Sequence, residues 1–408
     1  MKPAPSEAQG TCIVLGVESQ IGLAIVRELG RAGVRVIAVS HDAKAIGLAS
    51  RFVAESRIVA TPRSPAMLAA LLELGRRHGP CSLVTVSEAN MAWLATQRRT
   101  LEPTLRLALP PDDAFAAALD KGRTLQVAAA QGIDVPRTEE PASLDDLQRI
   151  AASFPFPAVL KWKDPGAVAA ALGAAGLELM KAEYVYSAEE LLAIGRRYAP
   201  IGQWPLVQQY CAGRGLGQFF FLRDGQVVQR FQHLRIAEWP PEGGFSSVCD
   251  AVPLDQHRAL QQRSIDLLRA IGWEGVAMVE YRLDLATGRA VLMEINGRFW
   301  GSFPLAAHAG AGFALLAHRS AMGWPTPGVP PARDDLRCRM AATELKRLHR
   351  LWLQPSAIKD RLFRVRRLAE LGRFVGDFLR PRVRYYVWSA DDPAPFWADL
   401  RNLLRKGA

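Results

Sequence analysis

The chain has 408 residues, 49% of them hydrophobic, and a formal net charge of +11. This length supplies more apolar surface than one small core needs, so two or three domains are expected. Five scattered cysteines without a CxxC pair argue against a zinc site or a disulfide framework. The most apolar run, residues 167–180, is too short to cross a bilayer, and residues 1–10 lack a signal-peptide core. We therefore expect a cytoplasmic protein without an integral membrane segment.

The positive charge is concentrated near the C-terminus. Residues 331–408 contain 18 Lys and Arg against 9 Asp and Glu, which leaves a net charge of only +2 for the rest of the chain. Such a segment can contact nucleic acid or an anionic membrane surface, or it can be a solvated helical face. Because its arginines alternate with Leu, Phe and Val, an amphipathic helix that packs on its own protein is favoured. No part of it resembles a nucleic-acid-binding motif, so no nucleic-acid partner is expected.

Residues 11–39 have the pattern of a βαβ unit. The strands TCIVLGV and VRVIAVS enclose an amphipathic helix that ends at Gly33. The right-handed crossover of such a unit makes the sheet parallel. Gly16 and Gly22 flank the turn between strand and helix, where backbone amides can face an anion. The GxGxxG fingerprint is incomplete, however, and a structural role for both glycines is at least as strongly indicated.

The alternation of helices and strands continues to about residue 112 and predicts a small, doubly wound α/β domain. Ser87 and Glu88 directly follow the strand CSLVTVS, at the edge of a parallel sheet where ligands bind. Glu88 is equally explained as an acid in the first turn of a helix, where it favours the helix dipole. Both interpretations stay open. From residue 113, runs of strands broken by isolated helices are typical of α+β layers.

The sequence GVAMVEYRLDLATGRAVLMEINGRF predicts a β-hairpin whose turn centres on Thr287. Equal counts on both sides of the turn pair residue 283 with residue 291. They also place Glu280 directly opposite Glu294. Like charges that face each other destabilise a sheet, so this pair calls for a ligand or for water.

The same face of the hairpin carries further polar groups. Asn296 and Arg298 follow Glu294 at every second position and so share its face. Two carboxylates and an amide oxygen can bind a hard cation such as Mg²⁺ together with phosphate oxygens. The guanidinium of Arg298 fits a phosphate and can stabilise charge on a transferred phosphoryl group. The alternatives are an exposed polar hairpin face and, for Arg298, a surface salt bridge.

Two lysines upstream fit the same site. Lys161 ends the predicted strand PFPAVLK, and Lys121 lies in a predicted helix, from which a long cation can reach nucleotide phosphates. Singly, each is more often a solvated surface lysine. The segment 162–180, which contains several alanines and glycines, either closes over the phosphates as a lid or is merely a loop.

From about residue 12 to residue 330 the chain resembles the ATP-grasp superfamily. The segments LDKGRTLQVAAAQGIDVPRT, FPAVLKWKD, LVQQYCAGRG and MVEY…LMEINGRFWGS match four motifs of that family in order. The resemblance implies a Rossmann-like α/β pre-ATP-grasp domain at 1–112 and an α+β ATP-grasp fold at 113–330. The remaining residues, 331–408, form a basic, mostly helical C-terminal extension.

The resemblance also implies ATP and Mg²⁺ as cofactors, with Mn²⁺ as an alternative, and a role for each residue that matches a motif. These residues are Lys121 and Lys161 for the nucleotide phosphates; Gln208, Gln209, Tyr210 and Cys211 at the adenine-binding hinge; Glu280, Glu294 and Asn296 for the metal; and Arg298 and Arg235 for catalysis.

Arg235 belongs to the segment QHLRIAEWPPEGGFSS (232–247), which resembles uncharacterised bacterial ATP-grasp proteins. His233 in the same segment either titrates near neutral pH or is a hydrogen-bonded structural residue. His233 and Arg235, like Gly243, Gly244 and Ser246, are expected to lie between the hinge and the metal hairpin and to face the phosphates or the carboxylate substrate. The chain departs from the family at the hinge, since Gln209 replaces a common Glu and residues 212–217 lack the acid that holds the ribose in many members.

The resemblance implies an ATP-dependent ligase that activates a small-molecule carboxylate as an acyl phosphate. An amine, or less often a thiol, then displaces phosphate and releases the product along with ADP. The alternative is a non-catalytic ATP-binding sensor or scaffold that docks partners through its basic tail. An NAD-dependent oxidoreductase would rest on VLGVESQIG alone and would leave the hairpin acids unexplained. Formation of a homodimer stays open.

Overall fold

The computed structural model describes residues 9–180, 182–326 and 328–406. The expectation about a signal peptide concerns residues 1–10, most of which lie outside these ranges. Lys181, which follows the proposed lid, also lies outside them. Among the helices that are described, none combines the length and the apolar character needed to span a bilayer.

The front of the chain forms a five-stranded parallel sheet with the strand order β3-β2-β1-β4-β5. This confirms the predicted βαβ unit and its parallel strands. The strands are β1 (Thr11–Leu15), β2 (Arg35–Ser40), β3 (Val53–Ile58), β4 (Cys81–Thr85) and β5 (Leu105–Leu107). The helices are α1 (Gln20–Arg31), α2 (Pro65–His78), α3 (Glu88–Thr96) and α4 (Arg98–Leu101), and a 3₁₀ turn spans Ile46–Ala49.

Local sequence signals fix where these helices begin. Ser64 accepts a hydrogen bond from the Met67 amide and precedes Pro65, which is favoured in a first helical turn. Gly22 of α1 lies against the β1 turn, where a Cβ atom would be 2.3 Å from the Gly16 carbonyl oxygen. Gly22 therefore allows α1 to approach β1 closely, which is a structural role.

A second, seven-stranded sheet has the order β14-β13-β10-β11-β12-β15-β16 and is antiparallel except for its last pair. Its outer strands β15 and β16 come from the C-terminal extension. The strands are β10 (Arg214–Arg223), β11 (Gln226–Trp239), β12 (Phe245–Ala251), β13 (Gly275–Leu283), β14 (Ala290–Asn296), β15 (Arg337–Arg339) and β16 (Val383–Tyr385).

A third, four-stranded antiparallel sheet has the order β6-β9-β7-β8 and precedes β10 in the chain. Its strands are β6 (Thr138–Glu139), β7 (Ala158–Lys161), β8 (Glu183–Val185) and β9 (Leu206–Gln209). Helices α7 (Leu144–Ser153), α8 (Pro165–Ala174) and α9 (Ala188–Tyr198) accompany it, with a 3₁₀ turn at Ala199–Ile201. The segment considered as lid or loop thus contains a helix, α8.

The remaining helices cover both faces of the seven-stranded sheet and extend the C-terminal region. They are α5 (Asp112–Leu119), α6 (Lys121–Ala130), α10 (Arg258–Ala270), α11 (Phe303–His308), α12 (Phe313–Ala321), α13 (Ala341–Leu353), α14 (Arg367–Gly376) and α15 (Ala394–Lys406), with a 3₁₀ turn at Pro355–Ala357.

One hydrophobic core joins the front sheet to the seven-stranded sheet. Leu23 and Val26 of α1 belong to the same buried cluster as Phe219 of β10 and the α11 and α12 phenylalanines. Trp300 stacks on Phe219 with ring centroids 3.9 Å apart. Because the two sheets share this core, the front domain is fixed against the end of the hairpin β13–β14.

The carboxylate of Glu28 ties α1 to α12 inside this core. Its Oε1 accepts hydrogen bonds from the backbone amides of Ala314 (2.7 Å) and Leu315 (3.1 Å), and its Oε2 is buried without a partner. Burial raises the pKa of Glu28 to about 7, although the two amides partly counteract this. Between about pH 4.5 and 7 the folded protein keeps a proton that the unfolded chain releases, so stability falls as the pH rises through this range.

We therefore predict that Glu28→Gln stabilises the protein at about pH 8 by roughly 3 kcal/mol, the cost of ionising this buried acid. At about pH 5 the two proteins should differ little, because the native carboxyl is then protonated. Urea unfolding at both pH values measures the difference. Glu73→Gln, which removes a carboxylate of α2 outside this core, is the control variant; equal effects of Glu28→Gln at both pH values would contradict the prediction.

Candidate active site

The hairpin β13–β14 places two carboxylates opposite each other. Glu280 pairs with Glu294, which confirms the predicted pairing. Residue 283 pairs with Ala290 instead of 291, however, so that part of the predicted register is wrong by one residue. The reason is a β-bulge, in which Met293 is an extra residue between two paired positions.

Asn296 and Arg298 extend the row that begins at Glu294. The Asn296 amide donates to Glu294 Oε1 (2.9 Å), and Arg298 Nη2 donates to Asn296 Oδ1 (3.2 Å). Arg298 Nε also lies 3.2 Å from Oε1 of Glu88, at the N-terminus of α3. Glu88 thus begins a helix and also contacts the candidate site. Arg298 links the hairpin to the front sheet.

Arg235 holds the opposite carboxylate. Its Nη2 lies 2.5 Å from Glu280 Oε2, and its Nη1 donates to Glu238 (3.0 Å) and to the carbonyl oxygen of Gly244 (3.0 Å). Arg235 is largely buried, and its Nε atom has no partner. The structure therefore places Arg235 beside a predicted metal ligand.

The two facing carboxylates differ in their electrostatics. Burial raises the pKa of Glu280, and the charge of Arg235 only partly offsets this effect. Burial also opposes ionisation of Glu294, but the Asn296 hydrogen bond and the charges of Lys161 and Lys121 outweigh it and lower the Glu294 pKa. Glu294 is accordingly the more readily ionised of the two acids.

The two predicted phosphate lysines lie near these acids. Lys121 is the first residue of α6, and Lys161 is the last residue of β7. Lys161 Nζ donates to Gln208 Oε1 at 3.0 Å. Burial lowers the pKa of Lys161, and the positive charge of Lys121 lowers it further, against the opposing effects of Glu294 and Glu280. A polyanion placed between the lysines would relieve their repulsion.

Along the chain, the hinge residues connect the four-stranded sheet to the seven-stranded sheet. The buried Gln208 side chain bridges Lys161 and Thr138, so it orients the lysine. Backbone hydrogen bonds fix Gln209 and the next residue to the small sheet. The Tyr210 hydroxyl donates to Asp360 of the C-terminal extension at 2.9 Å. Burial raises the pKa of the Cys211 thiol.

A cavity of about 580 Å³ lies where the hairpin meets the carboxyl edge of the front sheet. The row of hairpin side chains forms one wall, with Arg235 and Gly244. The lysines and hinge residues are not part of its lining. Its polar lining comprises Glu18, Ser19, His41, Arg63, Ser87, Glu88, Asn90, Arg235, Glu280, Glu294, Asn296 and Arg298.

Sequence reasoning missed several cavity residues of the front sheet. Glu18, His41 and Arg63 follow the ends of three neighbouring parallel strands, where ligands bind in such sheets. Glu18 Oε1 lies 2.9 Å from His41 Nδ1, and Arg63 contacts Asn90. Their position in the segments that connect each strand to the next element is the signal that could have identified them.

Three residues of the segment 232–247 that were expected to face the substrate do not line the cavity, namely His233, Gly243 and Ser246, and His233 follows the structural alternative. His233 is fully buried, contacts Ser302 at 3.2 Å, and has a pKa held well below its ordinary value by burial and by Arg235. It is therefore a neutral structural residue in the observed fold. Ser246 is also buried and donates to the Val248 carbonyl. Of Gly243, Gly244 and Ser246, only Gly244 lines the cavity. Gly243 lies near Arg282 instead.

The donor set at the hairpin fits a magnesium ion. In the ranges that the structure describes, no group of three or more His, Cys, Asp and Glu residues could hold a metal by itself. Mg²⁺ is commonly bound through one or two carboxylates, with water and substrate phosphates completing its shell. Glu280 and Glu294, with the amide oxygen of Asn296, match that pattern.

Gly297 shapes the end of the hairpin. A Cβ atom here would lie 2.2 Å from the ring of Trp273, which is itself almost fully buried. We therefore predict that Gly297→Ala destabilises the protein by about 1–3 kcal/mol through overpacking. Gly301→Ala is a matched control, because its nearest contact would be 3.9 Å away. Chemical denaturation of both variants tests this, and equal stabilities would contradict it.

One part of the sequence matches a known protein family. A family model of the carbamoyl-phosphate synthase L chain, ATP binding domain, matches residues 249–327. No curated protein is significantly similar to the chain in sequence. The matched range contains both carboxylates of the hairpin.

Solved structures share most of the fold. The biotin carboxylase domain dimer of Hydrogenobacter thermophilus 2-oxoglutarate carboxylase, in complex with MgADP, ADP and bicarbonate, has a TM-score of 0.62 at 15% identity, covering 80% of this chain and 72% of that chain. L-amino acid ligase from Bacillus licheniformis has a TM-score of 0.56 at 16% identity, covering 77% and 74%.

N5-carboxyaminoimidazole ribonucleotide synthetase from Thermus thermophilus has a TM-score of 0.57 at 17% identity, covering 79% of this chain and 81% of that chain. These three likenesses each cover more than three quarters of this chain. The resemblance stated from the sequence is thus confirmed: the chain has the ATP-grasp fold, preceded by a Rossmann-like α/β domain.

Proposed function

We propose that the protein is an ATP-dependent ligase that activates a small-molecule carboxylate as an acyl phosphate for attack by an amine. The observation that carries the proposal is the facing pair Glu280 and Glu294, joined to Asn296 and Arg298 at one wall of the cavity. Two partly buried acids that face each other on paired strands are costly unless cations share the site. A magnesium nucleotide provides such cations beside phosphate groups.

The lysines and the hinge define the nucleotide side of the proposed site. Lys121 and Lys161 bind phosphates of ATP, and Gln208 orients Lys161 through its 3.0 Å hydrogen bond. The hinge segment that follows β9, which includes Tyr210 and Cys211, receives adenine. That Mg·ATP is the nucleotide is supported by the MgADP named for the Hydrogenobacter biotin carboxylase domain.

Glu280, Glu294 and Asn296 would hold Mg²⁺, which supplies charge neutralisation on the reacting phosphates when bound. Arg235 keeps Glu280 in place through its short ion pair. Arg298 reaches across the cavity wall and stabilises negative charge on the transferring phosphoryl group. Glu88 fixes Arg298 from the opposite side, at 3.2 Å. Positioning and charge account for most of the proposed rate acceleration.

The cavity suits a small carboxylate and its amine partner. Arg235 and Arg298 offer cations to a carboxylate that approaches the phosphate, and Glu18 and Glu88 offer carboxylates on the front-sheet side. Formation of a C–N bond is supported by the likeness to an enzyme named as an L-amino acid ligase. Cytoplasmic location and a homodimer remain predictions.

Trapping of the acyl phosphate tests this proposal. With Mg·ATP, pooled carboxylic acids and hydroxylamine, we expect an acyl hydroxamate together with ADP, both detected by mass spectrometry. Glu294→Gln should abolish the hydroxamate because it removes a charge from the metal site, whereas Glu73→Gln on the outer face of α2 should not. Bound nucleotide without turnover in any pool would refute the ligase and favour the ATP sensor.

A second prediction concerns the lysines. Lys161→Ala and Lys121→Ala should each weaken ATP binding about tenfold to a hundredfold, since each removes a charge-assisted contact to phosphate. Isothermal titration calorimetry gives the affinities. Lys163→Ala is the matched control: Lys163 lies two residues after Lys161 but pairs with Glu140 at the surface. Unchanged affinity in both site variants would show that the phosphates lie elsewhere.

A further inference from the structure

Helix α14 of the C-terminal extension exposes an apolar stripe. The side chains of Leu368, Leu371, Val375 and Leu379 are exposed, with exposed fractions of 73% for Leu368 and 85% for Leu379. At 100° per residue these positions lie within about 100° of one another around the helix and the turn that follows it. Phe378, which is 52% exposed, borders the stripe.

The opposite side of α14 is charged and faces the protein. Glu370 accepts a hydrogen bond from Arg347 (3.0 Å), and Arg373 donates to Glu344 (2.8 Å). At the end of the helix, Asp377 accepts two hydrogen bonds from Arg337. The helix thus packs with its polar side inward, contrary to the expected amphipathic helix packing its apolar side on the protein.

This inverted arrangement leaves apolar surface without a partner. Helix α14 contains no buried residue. Among the described residues, 18 large hydrophobic side chains are exposed, and 13 of them lie between Leu345 and Leu404. Concentrated exposed apolar area marks an interaction surface. Trp352 and Leu353, at the end of the neighbouring α13, add to it.

The charges around the stripe have one sign. The three acids between residues 359 and 384 are Asp360, Glu370 and Asp377, and all of them are turned inward onto hydrogen-bond or ion-pair partners. The exposed charged residues of the same stretch are all basic: Lys359, Arg361, Arg364, Arg366, Arg367, Arg380 and Arg382. Three of them, Arg361, Arg380 and Arg382, form ion pairs with Glu190, Asp377 and Asp335.

Arg366 and Arg367 do not stabilise the helix itself. Arg366 is the N-cap residue of α14 but makes no side-chain capping bond, and Arg367 is the first helical residue. Positive charge at a helix N-terminus is unfavourable for the helix dipole. An external anionic surface gives these arginines a favourable contact.

We propose that α14 and its flanking arginines form a docking surface for an anionic lipid membrane. An interfacial helix inserts an apolar stripe of this kind between lipid tails while adjacent Lys and Arg contact the headgroups. A second copy of the chain is a poorer occupant, because a two-fold contact over this stripe brings the flanking arginines of both copies together. The proposal concerns peripheral attachment and does not depend on the proposed ligase activity.

Vesicle flotation tests the surface with the full-length protein. We expect it to float with phosphatidylcholine vesicles that contain phosphatidylglycerol and to remain unbound to pure phosphatidylcholine, with less binding at high salt. The variant Arg364→Gln/Arg366→Gln/Arg367→Gln should lower the partition coefficient about 100-fold. The variant Leu368→Gln/Leu379→Gln should lower it at least about tenfold.

Two controls separate this result from misfolding and from self-association. Leu285→Gln changes an exposed leucine in the β13–β14 turn and should bind vesicles as the parent protein does. Thermal unfolding should be unchanged in all variants, because the altered side chains are exposed. Absence of flotation with anionic vesicles, or equal flotation with neutral ones, would overturn the proposal. So would a dimer in sedimentation velocity that is lost in Leu368→Gln/Leu379→Gln without any vesicle binding.

Discussion

The structure around the cavity depends on two partly buried carboxylates that face each other across a strand pair. Glu280 and Glu294 repel, and removing both from water adds to the cost. Their neighbours offset this cost unequally: Arg235 holds one acid, while an amide and two lysines favour ionisation of the other. This need for neighbouring cations is the electrostatic basis for the proposed metal and nucleotide. The same electrostatic requirement therefore shapes the fold and the proposed chemistry.

Residues from every part of the chain contribute to the surroundings of these two carboxylates. The front sheet contributes Glu88, which holds Arg298, and the four-stranded sheet contributes Lys161. The C-terminal extension reaches the hinge through Asp360, whose carboxylate accepts hydrogen bonds from Tyr186 and Tyr210. It also reaches the front helix α1 through buried ion pairs of its last segment. No single sheet contains the whole site, so its geometry depends on the shared core that fixes the sheets to one another.

Patterns within single elements could be predicted from the sequence. The alternation of strands and helices along the chain predicts the parallel front sheet. Counting outward from the hairpin turn, with side chains alternating between two faces, predicts the pairing of Glu280 with Glu294. The bulge at Met293 could not be predicted, since it depends on packing between strands. Nor could the contact of Arg235 with Glu280, which joins residues 45 positions apart. The buried state of His233 likewise depends on neighbours from distant elements.

The C-terminal extension shows where pattern alone is insufficient. Periodicity identifies an apolar stripe on α14, but it cannot decide which side of the helix meets the protein. That choice is made by the surface beneath: Arg337 and Arg347 project from other elements and need carboxylates. Buried guanidinium groups left unpaired are costly, so Glu370 and Asp377 turn inward and the leucines are left outside. The exposed stripe is thus the consequence of satisfying buried arginines, and its outward charge is positive because the acids are already in use.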